Sequence, residues 1–502
     1  MPIPLTASRY YTLNAGINEN ISELSKDKAE LASAQNVDFF VRNAVRKRNG
    51  YIRRISSGVN STNAITGLFE FRLRSGTNYF VATSGAQLRY DNAGTWTDIT
   101  GAVTITGGQD NKFSFDTYDD ILIATNGVDA PIQWTGAGNA AALAGSPPSA
   151  MRWVAHYNEH VFLARNATNR SRVYISNQGD PQTWGASDFF DVGQDDGQEI
   201  TGLVTLYDRM FIFKTRSIYQ LSGTSIGNFR VDLVSQNVGC ISGWSLAVVE
   251  NAILFLSDRG FYEFTGSVPA LISDKIQTTL LALNTGRTQF SHGTHYKRRF
   301  QYWCAVSNGS STTHNLVLVY DYLQKAWTKF TGINANAFGI EQTTNSSMER
   351  LYHGDYSSIV FNQDSGNVDD DSTQTAISAN FTTHPIDMGS PELFKRFRYL
   401  RMFFDQQGTY NVTVSYLTDF GTQGTSTSVS QSLSGTQSLW GTMTWGVSLW
   451  GGAAIIRPRA NLRASGHHIE VTVANNSANQ PFVLHGFSIL ARIKGPKRVG
   501  VS

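Results

Sequence analysis

The chain has 502 residues and a formal net charge of +2; charged residues make up only 16%, while aromatics reach 12% and glycines number 45. That length implies two or three domains, and the near-balance of charge excludes a global field that recruits nucleic acid or an acidic membrane surface. No stretch approaches the ~20 apolar residues that span a bilayer, and residues 1–20 lack the basic segment and apolar core of a secretory signal, so no membrane insertion is expected.

Residues 1–62 read as an extended segment followed by a basic hairpin. "ISELSKDKAELASAQN" (21–36) has the composition of a short helix or turn region. "VRNAVRKRNGYIRR" carries Arg42, Arg46, Lys47, Arg48, Arg53 and Arg54, with Tyr51 among them. Asn49-Gly50 suits a hairpin tip, and basic edges block edge-to-edge pairing, so a solvated hairpin is expected. The functional alternative for Arg46, Lys47, Arg48, Arg53 and Arg54 is contact with phosphates or an acidic partner. The balanced charge of the whole chain favours the hairpin.

From residue 63 to 370 the chain repeats itself. "LYDRMFIFKTRSIYQLSG" (206–223) is answered by "VVENAILFLSDRGFYEFTG" (248–266), and "NYFVATSGAQLRYD" (78–91) by "DILIATNGVDAPIQWTG" (120–136). Further copies begin at His156 and His295, and a weaker one spans 350–366. Four copies open with a tyrosine, Tyr118, Tyr157, Tyr207 and Tyr296; Val249 holds that place in a fifth. Ser84-Gly85, Asn126-Gly127 and Arg259-Gly260 suit hairpin turns because they tolerate positive φ. A lone hairpin is marginal in water and needs neighbours to bury its apolar face. Units of ~40–50 residues with hairpin cores predict a six- or seven-bladed β-propeller; stacked β-sandwiches are the alternative. The best helix candidate is 273–284, with Ser273 as its cap. Cys240 and Cys304 form no CxxC pair, so buried free thiols of a reducing cytoplasm are expected.

The chemistry-bearing candidates are few. "SNQGDPQTW" (176–184) superficially resembles the Asp-box turn of sialidases, but Gln178 stands where the central carboxylate belongs and Asp180 is displaced past the glycine. No nucleophile–base pair is recognisable, so no catalytic residues and no enzyme activity are expected. His292 and His295 lie three apart without a third ligand nearby, which favours surface histidines over a metal site. The runs 195–197 (DDG) and 369–371 (DDD) are oxygen-rich enough for Ca²⁺ but miss the spacing of a calcium loop, so solvated turns are favoured. No metal and no cofactor is expected.

The polar, acidic stretch 367–383 marks a boundary. Residues 371–502 are again β-rich, with the period-2 alternation of a half-buried strand at Val412, Val414 and Tyr416, and predict a β-sandwich-like assembly domain. Within it Trp440, Trp445 and Trp450 recur every five residues, each followed by glycine. They read equally as a loop packed on its own domain or as a subunit contact, since tryptophan is enriched at interface hot spots.

In order along the chain, "NVDFF…AVRKRNGY", "RVYISNQGDPQTW", "RMFIFKTRSIYQLSG…VGC", "AILFLSDRGFYEF" and "FKRFRYLRMFF" resemble the β-propeller tail proteins of short-tailed bacteriophages, the tail nozzle or packaged-DNA stabilisation family. The resemblance covers most of 35–405. It implies an all-β virion protein made in the host cytoplasm, a homohexameric ring that lines the distal DNA channel. Its implied partners are the adaptor or head-to-tail connector, tail fibre or needle proteins, and double-stranded DNA passing through the lumen. Such a ring retains packaged DNA and conducts it during ejection. A conduit should not grip DNA, because each neutralised phosphate adds affinity. A receptor-binding adhesin and a glycan-cleaving propeller enzyme are the rival readings.

Overall fold

The computed structural model describes residues 6–22, 25, 27–342, 349–421, 427–433 and 455–493. Nearly all regular structure is β-strand, and the chain divides into two compact units. One comprises 52–319 and 332–363; the other gathers 1–51, 320–331 and 364–502. The sequence boundaries, 62/63 and 370/371, differ from these, and 320–331 leaves the repeat region for the other unit.

The first unit is a β-propeller. Five of its sheets are complete four-stranded antiparallel meanders, at 65–98, 114–142, 153–191, 200–235 and 247–271. Two further sets contribute three strands each: His292–Tyr296, Gln301–Val306 and Leu316–Asp321, then Ala337–Gln342, Glu349–Gly354 and Val360–Gln363. The seven inner strands succeed one another around the lumen, and the last, Ala337–Gln342, packs against the first, Ile65–Arg72. The seam is sewn by the segment that enters the unit. The amides of Arg54, Val59 and Ile65 donate to the carbonyls of Val360, Ser358 and Asp355 at 2.8, 2.8 and 2.9 Å.

Each apolar core lies between neighbouring blades. Phe71, Val81 and Leu88 of one blade bury against Leu122, Ile132 and Trp134 of the next, and Phe211, Phe213 and Ile218 against Ile253, Phe255 and Phe264. At ~1.5–3 kcal/mol per large apolar side chain buried, a blade without its neighbour exposes most of its stabilising surface. Glycine is abundant partly because the inner strands converge. A Cβ on Gly67 would lie 2.4 Å from the Phe115 ring, and one on Gly339 would lie 2.6 Å from the Leu68 side chain.

The repeated tyrosines have a definite task. Tyr118 and Tyr157 close inner strands, and Tyr207 follows the strand Ile200–Leu206; all three stand at tight turns containing residues at positive φ. Their hydroxyls donate to the backbone of the next blade's equivalent turn: Tyr118 to the Glu159 carbonyl (3.1 Å), Tyr157 to Asp208 (2.9 Å) and Tyr207 to Asn251 (3.3 Å). The repeat thus carries blade-to-blade hydrogen bonds as well as hairpins.

The helix expected at 273–284 is corrected, and the helix-or-turn reading of 21–36 holds for the turn at 28–29. Residues 273–284 form only the 3-10 turn Asp274–Ile276 and the one-turn helix Gln277–Leu281. Ser273 does not cap it; its hydroxyl accepts the Phe261 amide at 2.8 Å, serving the sheet instead. Within 21–36, Leu31–Gln35 is a strand, because its pairing with Ala379–Thr383 outweighs a weak helical preference.

The second unit is β-sandwich-like. One sheet orders Val37–Asp38, Val45–Lys47, Val483–Ile493 and Lys395–Asp405, with Thr6–Tyr11 also on Val483–Ile493 and Arg459–Gly466 on Lys395–Asp405. The other runs from Ala326–Phe330 through Leu31–Gln35, Ala379–Thr383, Ile469–Asn475 and Asn411–Thr418 to Thr427–Ser432. Burial alternates along the central strands, and Phe482 meets both Phe381 and Phe404 between the sheets. Val412, Val414 and Tyr416 all face inward, as the alternation predicts.

Candidate functional site: the propeller lumen and the basic stretch

Inner strands from around the ring enclose a central cavity of about 460 Å³. Its wall includes the aromatic residues Phe69, Phe113, Phe115, Trp153, Trp244 and Phe338, with Ser114, His292, Thr294 and His295 among its polar members. The surface-histidine expectation is corrected for His292: its Nδ1 is buried without a partner, its ring meets Phe338, and burial next to Lys112 pushes its pKa down to about 3. Burial also lowers His295.

Lys112 is buried beside this wall. Its ammonium donates to the carbonyls of Phe290 and Asn336, the latter at 2.7 Å, and lies 5.8 Å from the Trp244 ring centroid. Desolvation drives its pKa well below the usual lysine value. His314, also buried, donates from Nδ1 to the Ala335 carbonyl (2.8 Å), and its pKa is lowered by burial and then by Lys112. A fully buried amine thus stands beside the lumen wall, a feature invisible in the net charge of the chain. Sequence reasoning missed Lys112, whose neighbours in the chain give no sign of its burial.

The solvated basic hairpin is overturned. Val45–Lys47 pairs with Val37–Asp38 and Val483–Ile493, so Asn49-Gly50 is no hairpin tip. In the sandwich-like unit, Arg46 grips Asp38 with a fork of 2.7 and 2.8 Å contacts. Lys47 donates to Asn475 Oδ1 (2.9 Å) and the Ser477 carbonyl (3.0 Å). Arg48 and Asp369 form a bidentate pair at 2.6 and 2.8 Å, with side chains 2% and 7% exposed. In the propeller, Arg54 binds Asp91 (2.7 Å) and Glu341 (2.8 Å, twice), sandwiched between the rings of Phe80 and Tyr352 at 4.2 and 4.4 Å. Arg53 donates to the Ser56 carbonyl at 3.0 Å, and Arg42 is exposed. Desolvation and then Arg48 bring the Lys47 pKa down to about 8. The acidic contact weighed for this stretch is realised inside the chain.

The oxygen-rich runs are likewise engaged: Asp196 accepts two 2.7 Å bonds from the buried Lys214, and Asp369 holds Arg48. Among the described residues no group of three or more His, Cys, Asp or Glu side chains is placed to hold a metal. Gln178 donates to Glu159, while Asp180 accepts from the Thr183 hydroxyl and the Gln182 amide, which keep its carboxyl below the usual range. An ionised, turn-bound carboxylate is a poor general acid. Cys240 and Cys304 are buried and free, and burial raises both thiols to about 12. Trp440, Trp445 and Trp450 lie outside the described residues. No described helix is long and apolar enough to cross a membrane.

No protein-family model matches the chain, and no curated protein matches it in sequence. Among solved structures it is similar to the computationally designed Ika8 protein (12% identity, TM-score 0.36), covering 62% of this chain and 99% of that one. It is also similar to YCF48 bound to D1 peptide (10% identity, TM-score 0.40, 61% and 93% covered) and to the Neurospora crassa Pan2 WD40 domain (8% identity, TM-score 0.39, 63% and 95% covered).

Proposed function

We propose that the chain is a structural subunit of a short-tailed bacteriophage tail, a homohexameric nozzle ring that retains packaged DNA and conducts it during ejection. The ordered series of motifs along 35–405 carries this reading. The internal engagement of the basic stretch supports it, since cations held by Asp38, Asp369, Asp91 and Glu341 are withheld from phosphates. A closed propeller gives a rigid wall, and cyclic symmetry lets copies close a ring. Catalysis is no part of the proposal. Tryptophans 440, 445 and 450 supply contacts between subunits in this scheme.

Mass photometry and negative-stain imaging of the purified chain test it. The expected particle is a ring of six subunits, about 332 kDa from six times 55.3 kDa, and antibodies to the chain should label phage tails. A trimeric fibre or a monomer that never assembles overturns the proposal. Trp440→Ala with Trp445→Ala should weaken the ring while the propeller stays folded.

A further inference from the structure

A second cavity, about 210 Å³, adjoins the lumen and shares Trp153, Gly243 and Trp244 with its wall. Arg152 and Arg165 line it, together with Glu199, Thr201 and Gln289. Arg165 is committed: its guanidinium holds Glu199 at 2.7 and 3.2 Å. Arg152 is not. Its guanidinium carbon lies 4.6 Å from the Trp244 centroid and 5.8 Å from that of Trp153, yet among the described residues no carboxylate, carbonyl or hydroxyl accepts from its N–H groups.

Stacking occupies the faces of a guanidinium and leaves its in-plane donors free. Neither indole N–H competes for a ligand, because Trp153 donates to the Ile200 carbonyl (3.1 Å) and Trp244 to that of Phe113 (3.3 Å). The Thr201 hydroxyl, on the same wall, is buried without a partner. Two arginines against one glutamate leave the cavity lining with a surplus of one positive charge.

We propose that this cavity binds a small oxyanion, a carboxylate or a phosphate, with Arg152 as its bidentate anchor and the Thr201 hydroxyl as a second donor. A planar fork of N–H donors matches two oxygens of either group. The volume lies below the ~300–1,000 Å³ of drug-sized pockets, which restricts the ligand to a small one. Burial, with Arg165 second, pushes the Arg152 pKa down to about 10, so the guanidinium keeps its charge at neutral pH. The site is independent of any role in a phage tail.

Calorimetric titration of the full chain with sodium phosphate and, separately, sodium acetate, at ionic strength matched with potassium chloride, tests the proposal. Fluorescence of Trp153 and Trp244 gives a second readout. Saturable binding of either anion at millimolar or lower concentration supports it, and the stronger of the two identifies the ligand class. Arg152→Gln should weaken that binding by at least about tenfold, and Arg152→Lys, which keeps the charge but loses the fork, by several-fold. Thr201→Val gives a milder loss and keeps the test open should an Arg152 variant fail to fold. No saturable binding of either anion up to about 20 mM, or binding undiminished in a folded Arg152→Gln variant, overturns it.

Discussion

The two units solve the same problem, a core made only of strands, in opposite ways. The propeller buries its apolar faces between consecutive blades, so most of its apolar core contacts join residues less than about one hundred positions apart. The sandwich-like unit is assembled from three separate stretches, and Thr6 pairs with Arg492 across almost the whole chain. Its long-range joints are also polar: Arg48 reaches Asp369 and Lys47 reaches Asn475. A modular core tolerates the loss of one joint locally, whereas a core sewn from distant stretches depends on each stitch.

Arg48 and Arg54, six residues apart and in different units, allow that contrast to be broken in two places. Arg48→Ser leaves Asp369 buried without a counter-charge, and the expected cost is ~3–5 kcal/mol. Hydrogen exchange should then rise across the sandwich-like strands while the blades between 114 and 271 stay protected. Equal loss of protection in those blades would show that the units do not respond separately. Arg54→Met strands Asp91 and Glu341 at the propeller seam and is expected to cost about 3 kcal/mol. Exchange should rise first at 52–65 and 355–360. Uniform exchange around the ring would mean that the seam is no weaker than any other joint.

Lys47 sharpens the comparison through pH. Its folded-state pKa of about 8 lies below the ordinary 10.5 of the unfolded chain. Below pH 8 both states carry the proton, and folding bears the full cost of burying the charge. Between about pH 8 and 10.5 the unfolded state binds more protons, so this group's contribution raises stability as pH rises. Urea denaturation of the parent chain and Lys47→Met should diverge across that window, and parallel curves would refute the assignment. The smallest effect is expected from Tyr157→Phe, which removes one hydroxyl bond to the next blade and should cost ~0.5–1.5 kcal/mol. An unchanged midpoint would mean that water replaces the Asp208 partner without loss.

The propeller was legible because its signals are local. Hairpin turns such as Ser84-Gly85 and the recurring tyrosines lie within a few residues of the strands they organise, and apolar alternation repeats from blade to blade. The purpose of those tyrosines was not legible, since each acceptor is a backbone carbonyl 41 to 51 residues downstream. The basic stretch misled for the same reason. Asp369 lies 321 residues from Arg48, and Glu341 lies 287 from Arg54, distances at which one sequence offers no pairing signal. Arg152 and Lys112 carry no signal in the sequence because neither belongs to a charged cluster. Their chemistry comes from the Trp244 ring they share, a neighbour only in space.

The pairing of Thr6–Tyr11 with Val483–Ile493 also sets a timetable. At ~5–20 residues per second, a ribosome takes on the order of 25–100 s to make the residues between Thr6 and Arg492. Throughout that interval the first strand has no partner, while the propeller, emerging in order, can close as soon as residue 363 is clear. The nascent chain therefore passes through a long state with a finished ring trailing an unpaired β-strand, the species most exposed to chaperones, proteases and neighbouring nascent chains. The first strand can reach its native sheet only once Val483–Ile493 has been made.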